Sequence, residues 1–586
     1  MLDSPRSGSW FRWRRLFAGA VCLVAVMGLA LAAWVGVRAA LAHGHLLQAR
    51  SAVSTLTDTV DDPTAAGAAL SAAGAETSAA RGLTDDWAWN LAESLPWVGP
   101  QLSAVSDTAA AIDSAVDAMI PVAQTSTGLS DALRPVDGVI DVSPLTDAAP
   151  AVAHAAVVLR ESAERVAGIN RAPLLGRVAE SVTQAADLLG SAADTADALR
   201  RATALVPTML GADRPRSTLV LFQNNAEWRS LGGVVGAVAQ LDTSGGRMTL
   251  AAQASSADFA ATAGTPVADL PDDVRSIYDT RPARYLQNTT QVPDFSVGAP
   301  LAREMWRRAH GTTVDSVIAL DPVTLSYLLR ATGPVRLPSG DDLSADNAVP
   351  LLLDESYRRY SDPRAQDAFF QSASAAVFQA LADGHVDPAA LVEAVGRAAR
   401  ERRLLVWNAD ATEQAILDGS TLQGALPAED ARRSTFGVYL NDGTGSKMDF
   451  YLQPVVETGW CTDGTASLHV ELRSDAPDPA SLPVYVTGGG EYGVPAGDAL
   501  TGVYVYLPPG AELLERRTSS DGPPPGFAGG VHDGREVVKW SAQVAPGEAA
   551  RLDLRVRLAT PEMDAVATPT RDPDDVARSG ACRFDE

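Results

Sequence analysis

STLVLFQNNAEWRSLGGVVGAVAQLDTSGGRMTLAAQA, residues 217–254, is where an Ala-rich chain becomes a patterned one. Residues 219–222 form a short apolar, β-like run that ends in a polar elbow, Gln223-Asn224-Asn225-Ala226-Glu227-Trp228-Arg229. Gly232-Gly233 then precedes a second β-like run at 234–241, and Ser244-Gly245-Gly246 separates it from a third at 248–252. This order predicts a strand, a polar crossing and a hairpin.

Downstream of that start the chain alternates strands and helices. Residues 314–320 read as a strand, Asp321-Pro322 as a helix start with Asp as N-cap and Pro at N1, and Gly333-Pro334 as its stop. Phe370, Ala373, Val377 and Leu381 recur at helical spacing over 363–381, and 403–407 reads as a further strand. The expectation for 211–425 is therefore an α/β or α+β middle domain, a sheet covered by helices. From 426 to 586 the pattern is strands alone, at 435–440, 448–452, 467–472, 484–487, 502–507, 537–540 and 552–558, with Gly, Pro and Asp between them. An all-β C-terminal domain, a β-sandwich, follows from that spacing.

Upstream, residues 38–210 are dominated by Ala, Ser, Thr, Asp and Val, which predicts a helical stalk or bundle. Prolines at 121, 135, 144, 150, 173 and 207 are expected to cut it into pieces. Trp87, Trp89 and Trp97 interrupt the bland composition; they read as a local core between helices, a partner site or a membrane-surface cluster.

Residues 16–37 carry no charged side chain, and 22 residues at the helical rise span about 33 Å, enough for a bilayer core. Arg6, Arg12, Arg14 and Arg15 precede the run. The expectation is a multi-domain protein at the cell membrane, with 1–15 cytoplasmic, 16–37 a transmembrane helix, and the bulk of the chain extracytoplasmic. A cleaved signal peptide ending near Ala40-Leu41-Ala42 is the alternative. Cys461 and Cys582 would both lie outside, where a disulfide between them is expected and two free thiols are the alternative. A net charge of −25 over 586 residues argues against nucleic acid as a partner.

The chain has no zinc spacing among its seven histidines, no G-x-S-x-G elbow and no Walker loop. Two constellations carry the remaining chemistry. The first joins Glu227 and Arg229 with Asn224 and Asn225, and with Asp258 after the third strand. Brought together, Arg229 would hold a phosphate and Glu227 and Asp258 a Mg2+ ion; local pairing of Glu227 with Arg229 is the alternative. The second is Arg358, Arg359 and Arg364, with Asp362, beside a helix N-terminus: a phosphate or diphosphate pocket, or a solvated helix end.

The elbow with Gly232-Gly233, the 314–322 segment, Thr332-Gly333-Pro334-Val335 and Gly443-Thr444-Gly445-Ser446-Lys447-Met448 resemble the bacterial domain-of-unknown-function family 4012, over most of the chain after about Pro96. The resemblance implies a membrane-anchored surface protein of high-GC Gram-positive, actinobacterial type. The middle domain is also similar to the LytR-CpsA-Psr family, extracytoplasmic enzymes that transfer glycopolymers from a polyprenyl diphosphate carrier to the cell wall. The 314–335 segment, Arg358, Arg359, Asp362 and Arg364, and Arg229 carry that similarity. Gly232 stands near the place of that family's aspartate, and Ala257-Asp258 in place of its Arg-Asp pair. The expected function is binding or transfer of a phosphate-bearing envelope glycolipid, such as a polyprenyl-phosphate-linked glycan, or of a cell-wall polymer. The alternative is a non-catalytic structural or adhesive protein presenting a β-sandwich on a helical stalk.

Overall fold

The structure, a computed structural model, describes residues 9–54, 63–125, 134–259, 264–384, 386–428, 432–560, 562–572 and 577–585. It divides into two compact units, Met1–Ala132 with Ser143–Val206, and Leu133–Val142 with Pro207–Glu586.

The first unit is helical: Ser9–Ser54, Pro63–Thr84, Trp87–Glu93, Gly99–Thr125, Ser143–Ala167 and, running out of the unit, Gly176–Met209. Its core is built largely from alanine. Ala104, Ala111, Ala115 and Ala118 pack with Ala148, Val152, Ala155, Leu159 and Ala163, short side chains that let helix axes approach closely. Pro121, Pro150 and Pro207 lie inside helices and do not divide them, contrary to the expectation from sequence. Each costs its helix one N–H bond to the carbonyl four residues back; Pro121 and Pro207 fall in or near the last turn, where little helix remains to be kinked, and Pro150 is flanked by the buried Ala148 and Val152. Asp113 is buried but well partnered, accepting from Thr77 Oγ1, Ser78 Oγ and Arg81 Nη1 at 2.9–3.1 Å. The expected span 16–37 lies inside the helix Ser9–Ser54, although the side chains of 9–26, 29 and 30, and the whole of 1–8, fall outside the described residues. Among the described residues no helix is long and apolar enough to cross a membrane.

The second unit holds three five-stranded sheets. Strands β1 (Arg216–Arg229), β2 (Gly232–Ser244), β3 (Arg247–Ser255) and β4 (Ser316–Leu320) come first. The short hairpin β5 (Val335–Arg336) and β6 (Asp342–Leu343) follows, and then β7 (Leu405–Asn408). The first sheet has the order β3-β2-β1-β4-β7, with only β1 and β4 parallel. Asp321 caps the helix Pro322–Thr332 as expected, its Oδ1 accepting from Thr324 N at 2.8 Å. The helix Phe295–His310 covers one face of this sheet with Phe295, Ala299, Ala302, Met305 and Trp306.

The remaining strands are β8 (Arg433–Asp442), β9 (Leu452–Trp460), β10 (Ala466–Ser474), β11 (Ala499–Tyr506), β12 (Glu512–Ser520), β13 (Gly526–His532), β14 (Arg535–Val544), β15 (Ala549–Arg557), β16 (Glu562–Ala567) and β17 (Ala577–Ser579). They form two sheets, β12-β15-β10-β9-β17 and β13-β14-β11-β8-β16. Val438, Val503 and Trp540 of one share a core with Leu468, Val470 and Leu554 of the other, which makes the pair a sandwich. The alternate residues Tyr439, Tyr504 and Tyr506 pack instead with Leu219, Leu221 and Trp306 beneath the first sheet. One sandwich sheet is thus buried on both faces, and residues 211–425 and 426–586 form a single unit.

Two strands expected from sequence are something else. Val484–Thr487 is a short helical turn between Pro483 and the left-handed Gly488. Met448–Tyr451 is a tight 3-10 turn in which Asp449 accepts from the backbone of β1, and β9 starts only at Leu452. β12 and β13 were not expected, because one is largely exposed and the other glycine-rich, so neither shows the apolar alternation of a half-buried strand. Cys461 and Cys582 form a disulfide, with Cα atoms 4.9 Å apart, that ties the end of the chain to the sandwich.

Candidate functional site

The polar elbow is not a crossing. β1 pairs regularly as far as Phe222, opposite Ala237 of β2 and Leu320 of β4, and then continues to Arg229 around an irregularity. Asn224 faces Val234 and Trp228 faces Gly233, so Asn225, Ala226 and Glu227 are extra residues on one side of the ladder. Gly233 makes this possible: a Cβ there would sit 2.1 Å from Asn224 O and 2.7 Å from Asn225 N. Gly232, at φ 134°, takes a conformation open to glycine, and a Cβ on it would meet Gln223 Oε1 at 2.4 Å.

The bulge sends its side chains in different directions. Asn225 Nδ2 donates to Asp321 Oδ2 and to Pro569 O, both at 3.2 Å, while Ala226 and Trp228 enter the core of the sandwich. Glu227 points to Lys447, whose Nζ lies 2.5 Å from Glu227 Oε2, and Arg229 Nη2 donates to Glu227 Oε1 at 3.2 Å. Arg229 is further held by Asn288 Oδ1 at 3.0 Å and the Trp228 carbonyl at 2.7 Å. Asp442 and Asp449 complete the cluster. Asp449 Oδ2 accepts from Trp228 N at 2.8 Å, and Asp442 Oδ1 accepts from Thr444 N and Oγ1 at 3.0 and 2.8 Å, leaving Asp442 Oδ2 buried with no partner.

Three acids against two bases in a buried space favour retention of a proton. Burial pushes Glu227 upward, but Lys447 and then Arg229 outweigh it and hold the carboxyl below its ordinary value. Burial, and next the Glu227 charge, push Asp442 up to about 7, and burial with the Asp442 charge raises Asp449 well above its ordinary value. Burial lowers Lys447, yet Glu227 prevails and its pKa is raised. The sign for stability follows. Between pH 3.8 and about 7 the folded state holds an Asp442 proton that the unfolded chain has released, so this group makes stability fall as pH rises through that window. Asp442→Asn, which keeps the acceptor for Thr444, is expected to raise the urea midpoint over wild type at pH 8 and to lose that advantage near pH 4. An advantage of the same size at both pH values would reject the assignment.

Beside this cluster is a cavity of about 270 Å³ at the C-terminal ends of the parallel pair β1 and β4, the usual ligand position in an open α/β sheet. Glu227 and Lys447 form part of its wall with Tyr357, Tyr485 and Tyr492, and Lys447 Nζ lies 5.9 and 5.2 Å from the ring centres of Tyr357 and Tyr485. Asn224 Nδ2 donates to the Tyr357 hydroxyl. The rest of the wall is mixed: apolar at Phe222, Leu325, Leu352 and Phe370, and polar at Gln223, Gln287, Gln366, Asp321 and Asp367. Lys447 is the one cationic side chain among the lining residues.

Of the site residues expected from sequence, Glu227 and Asn224 line this cavity. The structure does not bring the four arginines together: three are taken by nearby acceptors and the fourth is exposed. Arg229 is buried against Glu227, Arg358 pairs with Asp354 at 2.9 Å and donates to Tyr451 Oη at 3.0 Å, Arg359 pairs with Asp341 at 2.6 Å, and Arg364 is exposed. Glu227 and Asp258 do not form a Mg2+ pair either. Asp258 is exposed and folds back to accept from Ser255 N at 2.8 Å, while both Glu227 oxygens are engaged by Lys447 and Arg229. Among the described residues, the one group of three potential metal ligands is Cys461, Cys582 and Asp585, where the cysteines are already bonded to each other.

Tyr485, Tyr492, Asp442 and Asp449 are not visible as site residues in the sequence; Lys447 stands there only within the Gly443–Met448 motif and Tyr357 only beside Arg358, neither with a site role. One signal was present: the chain has only two lysines, Lys447 and Lys539, among its many arginines. A lysine retained in a Gly-Ser loop of such a chain marks a place for a compact charge where a forked guanidinium does not fit.

Residues 213–357 match the model of a family described as a protein of unknown function, DUF4012. The match contains β1 to β4, the helix Pro322–Thr332 and Tyr357, and is shorter than the resemblance read from sequence; Gly443–Met448 and Lys447 lie outside it. No curated protein and no solved structure matches the chain.

Proposed function

We propose that this is a single-pass, extracytoplasmic cell-envelope protein that binds the head of an envelope glycolipid in the cavity beside Glu227 and Lys447. The carrying observation is the composition of the wall: one cation, Lys447, beside Glu227 and Tyr357, Tyr485 and Tyr492, amides at Gln223, Asn224, Gln287 and Gln366, and apolar side chains at Phe222, Leu325, Leu352 and Phe370. Sugar hydroxyls suit the tyrosine, amide and carboxylate groups, a phosphate suits Lys447, and the start of a lipid chain suits the apolar side chains. At about 270 Å³ the space takes one head-sized moiety, being close to the lower end of small-molecule pockets, about 300 Å³. The separation of Arg358, Arg359 and Arg364 from the cavity favours binding over a LytR-CpsA-Psr-like transfer. The membrane location is supported by the apolar run 16–37 and the arginines before it.

The test is mass spectrometry of lipids retained by the detergent-extracted, full-length protein. Wild type is expected to retain a glycolipid that Tyr485→Ala retains at least several-fold less, since Tyr485 is half-exposed on the cavity wall and its loss leaves the core intact. Repeated recovery of no lipid, or equal recovery from both proteins, would favour the second reading. That reading is a non-catalytic structural or adhesive protein, supported by the way Glu227 is engaged from both sides and so joins β1 to the sandwich.

A further inference from the structure

Residues 87–98 of the helical unit combine a fastened inner face with an unpartnered apolar outer face. Asp86 caps the helix Trp87–Glu93, accepting from Trp89 N at 2.7 Å. Trp89 is fully buried and packs with Val35 and Leu102, with Leu31 and Ala39 around it, which fixes the segment against residues 31–39 of the long helix Ser9–Ser54. Arg38 pairs with Asp86, donates to Leu83 O at 3.2 Å and lies 5.0 Å from the Trp34 ring centre. Opposite that fastening, Trp87 (77% exposed), Leu91, Leu95, Trp97 (90% exposed) and Val98 all face out.

The turn after the helix is built to hold this face. Gly99 N donates to Leu95 O at 2.9 Å, and a Cβ on Gly99 would lie 2.0 Å from Glu93 O, so only glycine lets the chain close there. Trp97 sits at φ 73°, a strained conformation for a bulky residue that persists only where its surroundings impose it. Two of the nearby charges are neutralised or bonded, Asp86 by Arg38, and Glu93 Oε1 by Trp89 Nε1 at 3.0 Å and Ser106 Oγ at 2.6 Å, while Asp85 is exposed before the helix. Residues 94–98 carry no charge.

We propose that Trp87, Leu91, Leu95, Trp97 and Val98 form a wedge that seats in the outer headgroup layer of the bilayer crossed by residues 16–37. This rests on the single-pass reading above and is independent of the cavity. The level of the patch identifies the occupant as lipid. Trp89 is fastened at Val35, two residues before the apolar run ends at Val37, or about 3 Å along a helix. A face at that height meets the membrane–water boundary, where tryptophan is favoured because its ring is apolar and its N–H is polar. The chain's net charge of −25 offers no attraction to anionic lipid, so seating depends on apolar burial and is insensitive to salt.

The experiment uses the full-length chain with Cys22→Ala, whose two remaining cysteines are joined in the disulfide, in phosphatidylcholine/phosphatidylglycerol vesicles. A nitroxide is placed at Trp97→Cys, at Leu91→Cys, or at the exposed Leu188→Cys on Gly176–Met209. Leu188 lies about 20 Å along its helix from Leu175, whose N–H bonds to Gln101 near the patch. Collision with oxygen relative to a water-soluble nickel chelate is expected to be several-fold higher at 97 and 91 than at 188, and unchanged by salt or by the phosphatidylglycerol fraction. Equal ratios at 97 and 188 would overturn the wedge, as would suppression of both collisions at 97, the mark of a protein partner. Failure of the protein to float with vesicles would be a different failure, removing the single-pass reading itself.

Discussion

Gly233→Ala is expected to destabilise the second unit by about 3 kcal/mol or more, a large effect for adding one methyl group. The new Cβ would sit 2.1 Å from Asn224 O, 2.3 Å from Asn224 C and 2.7 Å from Asn225 N, all backbone atoms that have no rotamer with which to escape. Relief requires flattening the three-residue bulge. That would withdraw Ala226 and Trp228 from the sandwich core and pull Glu227 away from Lys447. Gly236→Ala is the control, because it lies on the same strand with nothing within 4 Å of its Cβ position; its effect is expected to stay within about 1 kcal/mol. Urea midpoints followed by tryptophan fluorescence decide the matter, and equal midpoints for the two variants would refute the steric argument.

Lys447→Met is expected to cost about 3–5 kcal/mol, because it leaves a buried carboxylate without its closest partner. Lys447 and Glu227 are both largely buried, with side chains 6% and 12% exposed, so solvent does little to screen either charge. Adding Glu227→Gln is expected to restore a large part of the loss, since removing both charges avoids the unpaired one. Arg229 then retains Asn288 Oδ1, the Trp228 carbonyl and the nearby Asp442 charge. Strictly additive costs in the double variant would show that the pair is not coupled. The pH sign supplies a second check. Glu227 is held below its ordinary 4.5, so the stability it contributes is present above that pH and is lost as pH falls through the folded value. Lys447→Met is therefore expected to shrink the difference between neutral and acidic pH.

Much of the fold could be read locally. The apolar run of β1, the Asp321-Pro322 helix start, the alanine helices and the alternation of β8, β11 and β14 all declare themselves within a few residues. The failures have local explanations too. The 484–487 run has strand composition, but Pro483 and Gly488 close it into a helical turn. The elbow has turn composition, but Asp321 takes the Asn225 amide, Asp449 the Trp228 N–H and Asn441 the N–H of the following Ser230, so the strand can continue through it.

The site divides along the same line. Side-chain period, caps and glycine positions act over one or two turns of chain, and from them the sequence marked residues 223–229 as the place to look and Glu227 as a member. Its arginine clamp failed because charge type says nothing about which carboxylate is nearest: Arg358 found Asp354 one turn away, and Arg359 found Asp341 beside a hairpin. Glu227 and Lys447 are 220 positions apart. They meet because the bulge at Gly233 and the docking of Trp228 in the sandwich carry one to the other. A charge buried by that packing must take whatever partner the packing brings, and no short stretch of sequence encodes that choice.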